Sequence, residues 1–360
     1  MHFRFLTSTP LDIIRGSGTF SGISTLTKFL RMSGETVDLV TPTFRFPIYT
    51  VERLIFNESL RHRHPNGSAV TVGFDMDGYA LAGTGRGLHI ASIKGVIADE
   101  MRFEVGLTKA TMHLQALCEK RHVQRADMVI ATSRYSAARI QTLYAVSTTP
   151  CVVPEPIDLA GWHRLLQLNP APSAQDKFIV LSVCRFYPRK RLHVLLGAAD
   201  RLRSKIPGLE VRIVGDGPEA SRLQSICRER GLQGIVNWIG NLSQAELACE
   251  YNRCHVFCLP SVQEGFGIVF LEAMASAKPV VAVRAGAAPE VVKYGVLVEP
   301  DDDEALAEAI ERLYADPPLR ATLSAEGLRF VKQFDAPFVA NLFLQEVELA
   351  DGLPATARTA

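Results

Sequence analysis

Pro260-Ser261-Val262-Gln263-Glu264-Gly265-Phe266-Gly267-Ile268-Val269-Phe270-Leu271-Glu272-Ala273-Met274-Ala275 follows an apolar run that ends at Leu259. The run Val256–Leu259 has the length and branching of a buried strand, and a helix starts near Gly267. Between them lie two glycines and one carboxylate. Glycines at a strand-to-helix turn let backbone N–H groups come close to an anion, and the helix N-terminus adds partial positive charge. Glu264 stands just before this turn. Glu272 follows after seven intervening residues, about one turn into the helix. A bland reading makes Glu264 a cap and Glu272 a solvated side chain. It leaves Gly265 and Gly267, on either side of apolar Phe266, unexplained.

The same strand-then-helix alternation extends in both directions. Upstream, strands are expected at residues 2–7, 37–41, 69–74, 88–93 and 128–132. Helices are expected at 19–31, 49–61, between 99 and 125, and at 136–144. A second series has strands at Phe178–Val183, 210–214, 235–239, Val256–Leu259 and 279–283, with helices at 192–203, 219–230, 244–251 and 269–277. Repeated β-α units predict parallel sheets, because a crossover between parallel strands needs a helix. Residues 165–176 include Asn169, Pro170, Pro172 and Ser173 and read as a linker. The expected division is therefore a first domain over 1–165, completed by a helix at 336–351, a second over 176–335, and a frayed tail at 352–360. No repeat of solenoid period is present. Ligands of doubly wound sheets bind at the carboxyl ends of the strands.

Composition agrees with two soluble domains. The chain has 360 residues, against about 150 per domain. It is 47% hydrophobic and 21% charged, which excludes a disordered chain. A net charge of +1 argues against nucleic-acid binding through bulk charge. The start of the chain lacks the pattern of a signal peptide, and no uncharged apolar run reaches the ~18 residues of a membrane helix. Seven cysteines form an odd, sparse set that points to a reducing cytoplasm. Cys249, Cys254 and Cys258 match no zinc spacing and read as buried thiols.

The stretch around Glu264 and Glu272 resembles the E-x7-E signature of the family 4 retaining glycosyltransferases, group 1 glycosyltransferases of the GT-B fold. Other segments agree in order. Arg185-Phe186-Tyr187-Pro188-Arg189-Lys190 resembles the family's Arg-x-x-x-x-Lys, and Val214-Gly215-Asp216-Gly217-Pro218 its next strand-end turn. Lys278-Pro279-Val280-Val281-Ala282 and the Gly286–Glu290 loop complete the set. The resemblance implies two Rossmann-like doubly wound α/β domains facing across a cleft. It also implies transfer of a sugar, with retention, from a nucleotide-diphosphate sugar to an acceptor hydroxyl.

The residue chemistry fits those implications. A departing diphosphate needs its developing charge stabilised. Arg185 can chelate phosphate oxygens through paired hydrogen bonds, and Lys190 acts as a point charge. A solvated turn beside Arg189 and Arg191 is the alternative for this pair. By resemblance, Glu272 accepts the ribose hydroxyls and Glu264 contacts the donor sugar and the reacting region. Gly265, Phe266, Gly267, and Gly240-Asn241 are expected to form donor-binding loops. No metal and no cofactor are expected, and the donor is of UDP or GDP type. The acceptor, a glycan, lipid or small molecule, is unspecified.

Three features of the first domain leave readings open. Arg15-Gly16-Ser17-Gly18-Thr19-Phe20-Ser21-Gly22-Ile23 stands where the family has a Gly-Gly-Ile loop, with Ser21 in place of the first glycine. It is either an anion-binding loop before a helix, with Ser21 and Gly22 near the donor, or an acceptor-side loop. Lys94-Gly95 replaces the family's His-Gly. Lys94 cannot act as an imidazole does near neutral pH. It can neutralise diphosphate, hold an anionic acceptor, or be structural. Asp75-Met76-Asp77 has metal-pair spacing, but also suits acceptor contact or a plain turn with Gly78.

Arg61-His62-Arg63-His64, with Arg53, forms a basic cluster at a helix end. A solvated cap explains it, and a membrane surface or polyanionic acceptor is the sharper alternative. The expected location is the cytoplasm, with the inner membrane face as a possible docking surface. Two rivals to a transferase are a nucleotide-sugar epimerase of the same architecture and a nucleotide-sugar-binding protein without turnover.

Overall fold

Valine, isoleucine, leucine and phenylalanine dominate central strands such as Phe178–Val183 and Val256–Leu259, whose short runs suit strands buried on both faces. The computed structural model describes residues 1–10, 13–44, 46–62, 70–85, 87–172 and 177–352, with side chains from residue 18 onward in the first helix. His64 and the tail beyond residue 352 lie outside the described residues, as do residues 173–176 of the expected linker.

In chain order the elements begin with β1 (His2–Leu6), α1 (Ile13–Met32), β2 (Thr36–Val40), α2 (Tyr49–Leu60), β3 (Val70–Phe74) and β4 (His89–Ile93). Then come α3 (Ile97–Glu100), α4 (Gly106–Arg125), β5 (Met128–Ala131), α5 (Arg134–Tyr144) and β6 (Cys151–Val152). These belong to a first unit of Met1–Pro156 and Ala336–Ala360. All its strands pair in parallel, in the order β2-β1-β3-β4-β5-β6. The Phe5 ring meets those of Phe3 and Phe74 edge to face within its core.

The second unit, Ile157–Asp335, starts with α6 (Leu159–Leu168) and β7 (Phe178–Val183), then α7 (Leu192–Leu202), β8 (Leu209–Val214), α8 (Ala220–Glu229), β9 (Val236–Gly240) and α9 (Gln244–Arg253). It continues through β10 (Val256–Leu259), α10 (Ile268–Ala275), β11 (Val280–Val283), α11 (Ala288–Val291), β12 (Val296–Val298), α12 (Asp303–Ala315) and α13 (Pro317–Phe330). Its strand order is β12-β11-β10-β7-β8-β9, again all parallel. Chain order thus reverses between β7 and β10, and the loops after these two strands open side by side at their carboxyl ends. The last helix, α14 (Ala336–Asp351), returns to the first unit, where its Phe343 ring lies 5.7 Å from that of Phe3.

Both expected doubly wound sheets are present, with two differences of boundary. The division between units falls at Pro156/Ile157, ahead of the expected linker at 165–176. Residues 159–168 form α6, which buries Leu159 and Trp162 in the second unit, and the Trp162 indole donates to Ser276 Oγ at 2.9 Å. The segment 15–23, expected as a loop opening the helix at 19–31, is helical throughout within α1. Gly22 serves close packing there, since a Cβ on it would overlap the Glu155 carboxylate. Among the described residues, no helix is long and apolar enough to cross a membrane. Cys254 and Cys258 are buried, whereas Cys249 is only partly covered.

Candidate active site

The loop after β7 carries Arg185 and Lys190, and the loop after β10 carries Glu264. Because β7 and β10 are neighbours, residues 74 apart in sequence meet: Lys190 Nζ donates to Glu264 Oε1 at 2.5 Å. Both side chains are about nine-tenths covered. The backbone joins the same loops, with Val262 N–H donating to the Arg189 carbonyl at 2.9 Å. Arg185 is half-buried on the Lys190 loop.

Glycines hold the neighbouring loops at close quarters. Gly215 has φ +118, and a Cβ there would overlap the Cys184 carbonyl oxygen. Gly217 packs on the Phe186 backbone, whose N–H donates to the Asp216 carbonyl at 3.0 Å. Gly215 N–H in turn donates to the carbonyl of Gly240, the last residue of β9, at 2.7 Å. The carboxyl ends of β7, β8 and β9 are therefore tied together. Asn241 follows, exposed to solvent.

Gly267 caps α10 with φ +93, a conformation that disfavours any side chain. Phe266 departs from its expected role. Its ring is buried 5.5 Å from the Phe334 ring, so it anchors the turn. On the other side of Glu264, Ala287 N–H donates to the Glu264 carbonyl at 3.1 Å. Gln263, fully buried, was not singled out by sequence. Among the described residues neither atom of its amide has a hydrogen-bond partner.

Glu272 lies on α10, where the buried Tyr251 of α9 donates to its Oε2 at 3.0 Å. The same hydroxyl is 3.2 Å from the Val269 carbonyl. With one hydrogen to give, it favours the carboxylate while Glu272 is ionised. Burial pushes Glu272 up to about 7, and the Tyr251 hydrogen bond opposes that rise. Nothing in the sequence around Glu272 signals Tyr251, which is 21 residues away on another helix.

If Glu272 receives ribose hydroxyls as a carboxylate, its protonation competes with nucleotide binding. The free protein then binds a proton as pH falls through about 7, and that proton must leave when the nucleotide binds. The dissociation constant of a nucleoside diphosphate should be flat above pH 7 and rise by up to about tenfold per unit below it. In Tyr251→Phe the break should move to higher pH, because the bond that favours the ionised form is gone. Calorimetric titrations between pH 5.5 and 8.5 check this. An unmoved break excludes the coupling.

Within the first unit, the candidates take different places. Lys94 Nζ pairs with Glu155 Oε2 at 3.1 Å, and both side chains are nearly fully buried. Its ammonium also stands 5.6 Å from the centroid of the Phe74 ring. The expectation that Lys94 neutralises the donor diphosphate gives way to a neutralised internal pair. The preference for pairing follows from the cost of burying a lone charge. Ser21 and Gly22 lie on α1, with Gly22 against the other partner of that pair.

Asp77 is fully buried and accepts from Ser8 N–H at 2.6 Å, Ser8 Oγ at 2.7 Å and Asn57 Nδ2 at 2.8 Å, with Arg53 3.6 Å away. It stitches β1 to β3 and has no surface for an acceptor. Arg53 is buried in this network too, so it does not join His62 in a basic face. Asp75 remains partly accessible at the end of β3. Its Oδ1 accepts from Lys94 N–H at 2.8 Å, and burial pushes its carboxyl up to about 6, with Arg53 opposing. Beneath it, His122 Nδ1 donates to the Asp75 carbonyl at 2.6 Å, which leaves His122 Nε2 to accept from His89 at 2.9 Å. Burial keeps both rings neutral, with His122 lowered to about 4.

Residues 167–330 match the family described as "Glycosyl transferases group 1". A GDP-mannose-dependent alpha-(1-6)-phosphatidylinositol monomannoside mannosyltransferase of Mycolicibacterium smegmatis is 30% identical over 257 residues, 66% of this chain and 65% of that protein. A D-inositol 3-phosphate glycosyltransferase of Actinosynnema mirum is 29% identical over 61% of this chain and 57% of its own length. The chain thus spans less than two thirds of these relatives. Among solved structures, sucrose-phosphate synthase from Thermosynechococcus elongatus superposes with a TM-score of 0.81 at 24% identity, over 97% of this chain and 98% of that one. An Anabaena protein in complex with UDP and glucose superposes with a TM-score of 0.72 at 18% identity, over 96% of this chain and 99% of its own. The two-sheet architecture is that of these GT-B proteins.

Proposed function

We propose that this chain is a group 1 glycosyltransferase and that it moves a sugar from a nucleotide-diphosphate sugar to an acceptor hydroxyl with retention and without a metal ion. The observation that carries the reading is the Lys190–Glu264 pair at the β7/β10 reversal, beside the Gly267-capped start of α10. Lys190 and Arg185 are cations suited to the departing diphosphate. Glu264 suits the hydroxyls of the sugar and the reacting region, and Glu272 the ribose. The unpartnered amide of Gln263 supports a polar ligand at this turn, since a buried amide without partners is costly.

In the proposed reaction the bond from the anomeric carbon to the diphosphate oxygen breaks, and the acceptor oxygen bonds to that carbon on the same face. The acceptor's proton passes to the leaving diphosphate oxygen. No protein carboxylate needs to bond to the sugar. One relative's name supports a donor of GDP type, the Anabaena complex one of UDP type, and both relatives' names carry an inositol group.

The test combines GDP-mannose and UDP-glucose with inositol, sugar-phosphate and glycan acceptors, and reads the anomeric proton coupling of the product by NMR. The expected product keeps the donor's anomeric configuration, and its rate is unchanged by EDTA. An inverted anomer overturns retention, and a rate abolished by EDTA overturns metal independence. Epimerised donor formed without acceptor would overturn transfer itself.

A further inference from the structure

Helix α4 packs a mixed face into the first unit, with Ala116 and Val123 in the hydrophobic core beside three polar residues. The side that packs into the first unit carries Gln115, Glu119 and His122, all buried. Their polar groups are used internally: Gln115 accepts from Arg53 at 2.9 Å and donates to Thr50 at 2.8 Å, and Glu119 accepts from Ile97 N–H at 2.9 Å. The opposite side carries the leucines. Leu107 is 80% exposed, Leu114 44% and Leu117 52%, and Val105, just ahead of the helix, is 81% exposed. Positions 107, 110, 114, 117 and 121 fall at steps of three and four, so Leu107, Ala110, Leu114, Leu117 and Arg121 form one stripe. From 107 to 117 it runs about 15 Å along the axis.

The charges around this stripe have one sign. Lys109, Lys120, Arg121 and Arg125 are the charged residues of α4 outside the packed face, and its single acid, Glu119, is buried. Exposed leucines amid cations match the physics of interfacial helices: apolar side chains enter the boundary below the headgroups while cations meet anionic headgroups. Nucleic acid would use the cations and leave the leucines in water. A second copy of the helix would bring four cations against four.

We propose that α4 docks the first unit onto anionic lipid bilayers, with Leu107, Leu114 and Leu117 entering the headgroup boundary and Lys109, Lys120, Arg121 and Arg125 facing the anionic headgroups. This inference stands apart from the transfer reaction, because none of these residues belongs to the candidate active site.

The experiment is co-sedimentation of the full chain with unilamellar vesicles, either pure phosphatidylcholine or equal parts phosphatidylcholine and phosphatidylglycerol, in 50 mM and 500 mM salt. Binding to the anionic vesicles is expected, at least tenfold stronger than to neutral ones and weakened by salt. The Leu107→Ser/Leu114→Ser/Leu117→Ser variant should lose at least tenfold in binding in low salt. Lys120→Gln/Arg121→Gln should lose most of the preference for anionic lipid. Circular dichroism and melting should be unchanged in both, since the three leucines and Arg121 are exposed and Lys120 is partly so. Equal binding to both vesicles, no binding, or binding unaffected by the leucine variant overturns the proposal. So does a dimer in solution that the leucine variant dissociates, which would make this face a subunit interface.

Discussion

Glu264→Gln should lower the turnover of sugar transfer by about 10²- to 10³-fold, the scale of losing one group that contacts the reacting centre. Nucleoside diphosphate affinity should hold or rise. The neutral amide releases Lys190, whose ammonium now sits 2.5 Å from Glu264 Oε1, and a released cation is available to the diphosphate. Lys190→Ala should lower both turnover and affinity. It should also destabilise the second unit by about 3 kcal/mol, because it strands a covered carboxylate. Removing both partners should cost less than the sum of the single changes, as expected for groups in contact. Steady-state rates, calorimetric binding and melting curves for the four proteins complete the cycle. Equal losses of affinity in both single variants would show that the pair acts only as structure.

Gly286→Ala should damage the same carboxylate from a loop 22 residues further on. Gly286 has φ +58, and a Cβ on it would lie 2.7 Å from Glu264 N and 3.1 Å from Glu264 O. Both atoms are backbone, so they cannot swing aside as a side-chain tip could. The left-handed conformation adds its own penalty for alanine. A destabilisation of about 2 kcal/mol is expected, or roughly 5 °C for a unit of this size. The Ala287 N–H to Glu264 carbonyl bond at 3.1 Å ties the loops together. The shift therefore reaches Glu264, and turnover should fall at least tenfold in protein still folded at the assay temperature. Full activity in a destabilised variant would mean that this loop supports the fold without positioning Glu264.

The parts of the fold that were legible before the structure are those with local causes. Runs such as Phe178–Val183 and Val256–Leu259 are too uniformly apolar and branched to be surface helix, and glycines mark their ends. The two shortest edge strands were harder. β6 has two residues and β12 three, too few for any period to appear. Helix α6 was obscured by Pro170 and Pro172, which pulled the expected boundary past it. Gly16, Gly18 and Gly22 suggested a loop because glycine disfavours helices. Tertiary packing overrode that preference, at least at Gly22, which admits the Glu155 carboxylate beside α1.

The candidate site divides along the same line. Arg185, Lys190, Glu264 and Glu272 could be named because the segments after two apolar strands, and the start of the helix that follows the second, carry the resemblance to a known family. Their partners could not. Tyr251 beside Glu272, Glu155 beside Lys94, and the burial of Asp77 under Ser8 and Asn57 all join residues distant in the chain. By itself the sequence determined a chain of β-α units, the glycine-bearing turn before α10 and the residue types at the strand ends, because periodicity and backbone preference act within a few residues. Only the tertiary structure decided which loops become neighbours and which charges are neutralised. That depends on strand order, and the reversal between β7 and β10 leaves no trace in either strand taken alone.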